Sequence, residues 1–214
     1  SELLQDESAQ KMCEVLARNV GIRRAKGDII VSSNIDIIPF ERVYLDILIQ
    51  KLQKGEMITF TRNDIELSDI KKNCNPESLE LWKVPMIFGA EPIRRKLISP
   101  YISINKEIIE KFPENKHHVL SSIICGCGDF QIAYKETWYK IRGFEENLTK
   151  RLYLDTSVQY KVIMSGGVVT ACSFPPIYHL DHERNDSPEF TNSMEMTKYT
   201  GNSENWGFVN ENLH

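Results

Sequence analysis

Asn34 and Asp36 form an N-x-D triplet in the stretch Ala17–Pro39, ARNVGIRRAKGDIIVSSNIDIIP. The order is an amphipathic helix, a glycine, a β-branched strand and then the triplet. It places an amide and a carboxylate at the carboxyl end of a strand, where open α/β sheets hold their ligands. A carboxylate in that position can share a hard divalent cation with the phosphates of a ligand. The plainer alternative is an Asn/Asp pair capping a helix that begins near Pro39. Four more acids punctuate the second half of the chain. Asp129 follows Gly128, Glu145 and Glu146 follow the pair Gly143-Phe144, and Asp155 opens a helical run. An acid in the first turn of a helix is well placed against the helix dipole. Lys150 and Arg151 lie between these acids. A basic loop closing over an anionic ligand would exclude water and add positive charge there; a solvated surface pair is the alternative. Arg18 and Asn19 lie on the helix before the triplet and are further polar candidates, with burial or exposure on that helix equally open. Trp138 and Trp206 offer aromatic rings for stacking, and Trp138 fits a core position equally well.

The elements that must position these residues follow from periodicity. Met12, Val15, Leu16 and Val20 recur at helical spacing over Ser8–Ile22, and Gly21 and Gly27 punctuate its end. Asp28–Val31 reads as a short strand without alternation, as expected when both faces are covered. Pro39 suits a first helical turn, and Phe40, Val43, Tyr44, Ile47 and Leu48 give a helical stripe after it. Met57–Arg62 reads as a strand with alternating faces, Lys106–Phe112 and Leu154–Met164 as helices, and Val168–Ala171 as a strand. Gly126-Cys127-Gly128 reads as a tight turn before Asp129. The stretch Asn63–Asn115, with Pro85, Pro92 and Pro100, is expected to hold loops and short elements. His179 and His182 are expected to lie in an irregular tail, and after His182 the chain, polar and aromatic-poor until Trp206, is expected to be an extended wrap.

A chain of 214 residues with 41% apolar and 26% charged residues fits one globular domain with a real core. The net charge of −4 gives no electrostatic footprint for nucleic acid. No apolar run approaches the ~20 residues of a membrane span, so no transmembrane segment is expected. SELLQDESAQ is too acidic and polar for a signal peptide. Five cysteines without a framework spacing argue for reduced thiols. The expected location is cytoplasmic, with a membrane-peripheral position left open.

Four blocks, in order, resemble the GT-A glycosyltransferases. They are the helix, Gly-Asp turn and strand ending in N-x-D, in place of the family's D-x-D; the run GDFQIAYKETWYKIRG (Gly128–Gly143) followed by FEE, with Asp155 in YLDTSVQYKVIMSGG; IYHLDH (Ile177–His182); and NWGF (Asn205–Phe208). The resemblance, closest to the inverting family-2-like members, implies an α/β fold with a Rossmann-like mixed sheet flanked by helices and an irregular C-terminal tail. It implies transfer of a hexose or deoxyhexose from a nucleotide-sugar donor to a glycan, lipid or protein acceptor, with Mn²⁺ or Mg²⁺ as cofactor. Under it, Asp36 and His179 meet the metal, with His182 weighed as a partner, and Asn34, Arg18, Asn19, Lys150 and Arg151 face the donor. Asp155 is the first choice of general base and Asp129 the second. Glu145, Glu146 and Trp138 face the sugar or acceptor. Lys150–Tyr153 belongs to a mobile loop.

In GT-A enzymes the strand carrying D-x-D follows a βαβ half that binds the nucleotide. Only a partial first helix precedes it here, so the resemblance implies either a fragment of a longer protein, completed by an N-terminal segment or second chain, or a reorganised short form. The competing reading, from another class, is a catalytically inactive GT-A-like module that binds carbohydrate or a partner protein. A nucleotidyltransferase would be expected to show a glycine- and lysine-rich triphosphate loop, which the sequence lacks.

Overall fold

The β-branched runs of the sequence become strands of one mixed sheet in the computed structural model, which describes residues 14–38, 42–65, 88–89, 101–111, 127–146, 154–182 and 201–210. Its strands are β1 (Ile29–Ser33), β2 (Ile37–Ile38), β3 (Glu56–Ile65), β4 (Phe88–Gly89), β5 (Tyr101–Ile104), β6 (Cys127–Tyr134) and β7 (Val168–Leu180). The main path runs β1-β6-β3-β7-β2, with β4 paired to β3 and β5 to β7. β3 and β7 are parallel, and β6 lies antiparallel between β1 and β3. The helices are α1 (Glu14–Arg24), α2 (Arg42–Lys51), α3 (Lys106–Glu110), α4 (Lys135–Lys140) and α5 (Leu154–Met164). The expected α/β class with a mixed sheet and flanking helices is what the chain forms. No helix among the described residues is long and apolar enough to cross a membrane.

Two apolar layers hold the sheet. On one face Ile30, Met57, Ala133 and Val169 pack against Val15 and Ile22 of α1, Trp138 of α4 and Val158 and Val162 of α5. On the other, Ile58, Phe60, Phe130, Ile132 and Ile177 pack against Leu48 of α2 and Leu52 just beyond it. Each such buried leucine contributes roughly 1.5–3 kcal/mol relative to exposure. Trp138 stacks on Phe144 with ring centroids 5.7 Å apart, a geometry that adds about 0.5–1.5 kcal/mol beyond area burial.

Several elements depart from their sequence reading, each for a packing reason. β1 alternates between buried and exposed positions instead of being covered on both faces, and Val31 is exposed. β3 shows little alternation and is buried along most of its length, because β6 and β7 flank it and helices cover both faces. In α2, Leu48 is buried but Val43 and Ile47 are exposed, so only part of the apolar stripe faces the sheet; residues 39–41 lie outside the described residues. The expected turn at Gly128 is instead part of β6. β7 does not stop at Ala171 but runs on through Leu180, which puts IYHL on a strand and not in an irregular tail.

Candidate functional site

Strand pairing assembles the site. β2 pairs antiparallel with the end of β7, opposing Ile37 to His179, and the Leu180 N–H donates to the Asp36 carbonyl at 3.0 Å. Asp36, in the turn before β2, is thereby seated against the histidines of IYHLDH. Its Oδ2 lies 3.2 Å from His179 Nε2 and 3.2 Å from His182 Nε2. The three side chains offer ligand atoms all within 4.8 Å of one another. His179 is buried and His182 about half exposed.

The parallel pairing of β3 and β7 opposes Asp64 to His179 on the other side. Asp64 Oδ1 comes within 2.9 Å of His179 Nδ1. The contact is ion-pair close, but neither atom completes an aligned hydrogen bond. His179 therefore lies between two carboxylates, one at each ring nitrogen.

A second arm starts from the ladder between β1 and β6. Asn34 continues it past the strand end, its backbone N–H donating to the Asp129 carbonyl at 2.8 Å. Asn34 Nδ2 donates to Asp129 Oδ1 at 2.7 Å. Arg18 Nη2 donates to Asn34 Oδ1, and Arg18 Nη1 to Ser32 Oγ at 2.9 Å. Arg18 is fixed in turn by Glu14 one helical turn earlier, at 2.7 Å, with its guanidinium 5.1 Å from the centre of the Phe144 ring.

Arg62 joins the two arms. Its Nη1 donates to Asp129 Oδ2 at 2.8 Å, and its Nε lies 3.0 Å from Asp64 Oδ1. Arg62 and Asp64 share one side of β3 as i, i+2 neighbours. Beside this line, Asp155 in the first turn of α5 accepts the Gly128 N–H at 3.0 Å. A Cβ on Gly128 would overlap the Asp155 side chain, so glycine is the residue that lets α5 bring its acid down to β6.

The structure thus brings together Arg18, Asn34, Asp36, Asp129, Asp155 and His179 from the sequence candidates. The others are engaged elsewhere. Trp138 is fully buried and donates its Nε1–H to the Ile30 carbonyl at 3.3 Å, leaving no ring face open to a sugar. Glu145 is also fully buried, its Oε2 3.6 Å from Lys161 Nζ. Asn19, without exposed surface, brackets the Phe144 backbone: Nδ2 donates to its carbonyl at 2.8 Å and Oδ1 accepts its N–H at 2.7 Å. Gly143, at φ +63°, sits so close that a Cβ would overlap Asn19 Oδ1. Glu146 Oε1 accepts from Asn19 Nδ2 at 3.0 Å and from the Gly207 N–H at 2.8 Å. Trp206 is buried beneath Arg23 and edge-on to Tyr139. Asn19, Glu146 and Trp206 therefore bind the chain's own tail to α1. Lys150 and Arg151 lie outside the described residues.

Arg62 and Asp64 escaped the sequence reading, which ended the strand at Arg62. The signal available was a charged i, i+2 pair at the end of a buried strand. Sequence alone makes His182 no more than a partner of His179, because i, i+3 spacing in an irregular tail guarantees no shared face.

Chemically, Asp36, His179 and His182 present one carboxylate and two imidazoles. That set suits Mn²⁺, Zn²⁺ or another first-row ion better than Mg²⁺, which favours oxygen ligands. Asp36 Oδ1 is buried without a hydrogen-bond partner. An orphaned carboxylate oxygen is costly to leave unmade, and a cation beside it would satisfy it, so the residues present fit a divalent metal. No protein-family model and no curated protein matches the chain.

Proposed function

We propose that the chain is a metal-dependent glycosyltransferase module that moves a sugar from a nucleotide-sugar donor to an acceptor hydroxyl. The observation that carries this reading is convergence. The N-x-D triplet, the acid of β6, the first-turn acid of α5 and the histidine of IYHLDH lie far apart in sequence yet meet at one end of the sheet. That assembly supports the resemblance on which the reading rests. Asp36, His179 and His182 would hold the cation. When bound, it neutralises the diphosphate leaving group. Asp155 would take the proton of the attacking hydroxyl, and Asp129 would hold a sugar or acceptor hydroxyl.

The reading is tested by incubating the chain with a panel of nucleotide sugars in Mn²⁺ or EDTA and measuring released nucleoside diphosphate. Release with one donor, abolished by EDTA and by Asp36→Asn, is the expected result. The non-catalytic alternative is supported by the burial of Trp138 and Glu145 and by the internal hydrogen bonds of Glu146, which commit three proposed sugar contacts to the protein's own packing. It predicts carbohydrate binding without turnover of any donor.

A further inference from the structure

We infer that Asn34 is a positioning residue for Asp129, and that an amide stands at this position because its two neighbours demand opposite hydrogen-bond roles. Arg18 carries only donors, and the Asp129 carboxylate is acceptor-only. Between them a side chain must accept on one side and donate on the other, which an Asn amide does with one oxygen and one nitrogen. The assignment of its ends is forced by the neighbours: Oδ1 faces Arg18 and Nδ2 faces Asp129 at 2.7 Å. Both ends are occupied. The backbone bond from Asn34 N to the Asp129 carbonyl sets the two residues side by side, and Glu14 and Ser32 hold Arg18 in place behind them.

An aspartate at position 34 would keep the Arg18 contact but set a second carboxylate against Asp129, and like charges at hydrogen-bond distance repel. The site's second acid comes from β6, through Asp129, instead of from position 34. Arg62 then takes the other Asp129 oxygen and hands the line on to Asp64 and His179. Asn34 is therefore a neutral coupling in a row of alternating charges, and it fixes the rotamer of Asp129 instead of meeting a ligand. The inference rests on the proposed function only for what Asp129 then does.

The test is a double-mutant cycle of Asn34→Asp and Asp129→Asn, read by thermal unfolding and by Mn²⁺ titration followed by EPR. Asn34→Asp alone is expected to lower the unfolding midpoint by roughly 3–8 °C. Adding Asp129→Asn restores a donor–acceptor pair with its roles exchanged, so the double variant is expected to be more stable than Asn34→Asp and to fall short of additivity. Mn²⁺ affinity of Asn34→Asp should not exceed that of the wild type, since the new carboxylate faces Asp129. A tenfold gain in Mn²⁺ affinity with an unchanged midpoint would make position 34 a metal ligand and overturn the inference. A double variant no more stable than Asn34→Asp would overturn it too. Absence of Mn²⁺ binding by the wild type would count against the proposed function, while the stability cycle would still decide the role of Asn34.

Discussion

Asp155 Oδ2 accepts the backbone N–H of Gly128 at 3.0 Å, one residue before Asp129 in β6. The two candidate bases thus flank a single peptide, but they are held differently. Both oxygens of Asp129 are engaged, one by Asn34 and one by Arg62. Asp155 takes a backbone donor on one oxygen and sits on the rigid first turn of α5. Both Asp129 oxygens already hold neighbours within the protein, so under the proposed function Asp155 is the base and Asp129 the positioned acid. Asp155→Asn is expected to lower turnover by about 10²–10⁴ while Mn²⁺ binding, read by EPR, stays near the wild-type level. Near-normal turnover in Asp155→Asn, with loss in Asp129→Asn, would exchange the two roles.

Gly128 itself is a sensitive position. A methyl group there overlaps the Asp155 side chain, and α5 is tied to the core through Val158 and Val162. Relief therefore requires a shift of β6 or of the helix start. Overpacking of this kind costs about 1–3 kcal/mol. Gly128→Ala should lower the urea midpoint and depress turnover together. Gly21→Ala, where a Cβ meets nothing within 4 Å, serves as the control and should leave the midpoint unchanged or raise it slightly, since alanine is the better helix former.

The elements with strong local signals were legible in the sequence. Leu154–Met164 forms the helix its pattern demands, with Asp155 in its first turn, and Asn105 caps α3 by accepting the Ile108 N–H at 3.1 Å. The N-x-D triplet does stand just beyond a strand end. What local pattern could not show was pairing. The continuation of β7 through His179 depends on β3 and β2 alongside it, and neither is adjacent in sequence. Residue type was equally silent on the fate of Trp138, Glu145 and Asn19. An acid after a glycine turn reads the same whether it meets a ligand or, as Glu145 does, a buried lysine. A strand-end arginine usually points to water, so residue type does not mark Arg62, on which two acids converge here.

Under the proposed function the two carboxylates around His179 divide into a metal ligand, Asp36, and its support, Asp64. Asp36→Asn keeps the shape of a side chain whose Oδ1 has no hydrogen-bond partner to lose. Under the proposed function it is expected to abolish Mn²⁺ binding, while stability falls by no more than about 0.5–1.5 kcal/mol, the worth of an ordinary hydrogen bond, for the altered Oδ2 contacts with His179 and His182. Asp64 touches the far nitrogen of His179, not the face shared with Asp36 and His182. Partners that orient a metal-binding histidine typically govern 10–100-fold in affinity, so Asp64→Asn should weaken Mn²⁺ by about that factor without abolishing it. Equal affinity in Asp64→Asn and the wild type would leave Asp64 a purely structural partner of Arg62.

Lys161 and Glu145 form a buried pair whose pH dependence has a definite sign. Lys161 Nζ donates to the Gly143 carbonyl at 2.8 Å and lies 3.6 Å from Glu145. Burial pushes its pKa from 10.5 down to about 8, with Glu145 and Glu146 opposing the shift and Arg142 adding to it. The unfolded chain therefore binds more protons at this site between about pH 8 and 10.5. Stability rises with pH wherever the unfolded state holds more protons, so this residue's contribution should increase across that window. From pH 7.5 to 9.5 the gain is on the order of 2 kcal/mol. Burial raises the Tyr178 pKa above its ordinary 10.0, so the unfolded chain gives up this proton first and stability falls as pH rises past about 10; readings are best kept below about pH 9.5. Urea midpoints of the wild type should rise between these two pH values. Lys161→Met alone would strand the Glu145 charge in the core, at about 3–5 kcal/mol, so the comparison uses Lys161→Met with Glu145→Gln. If that double variant shows the same rise as the wild type, the pH response belongs to other groups and not to Lys161.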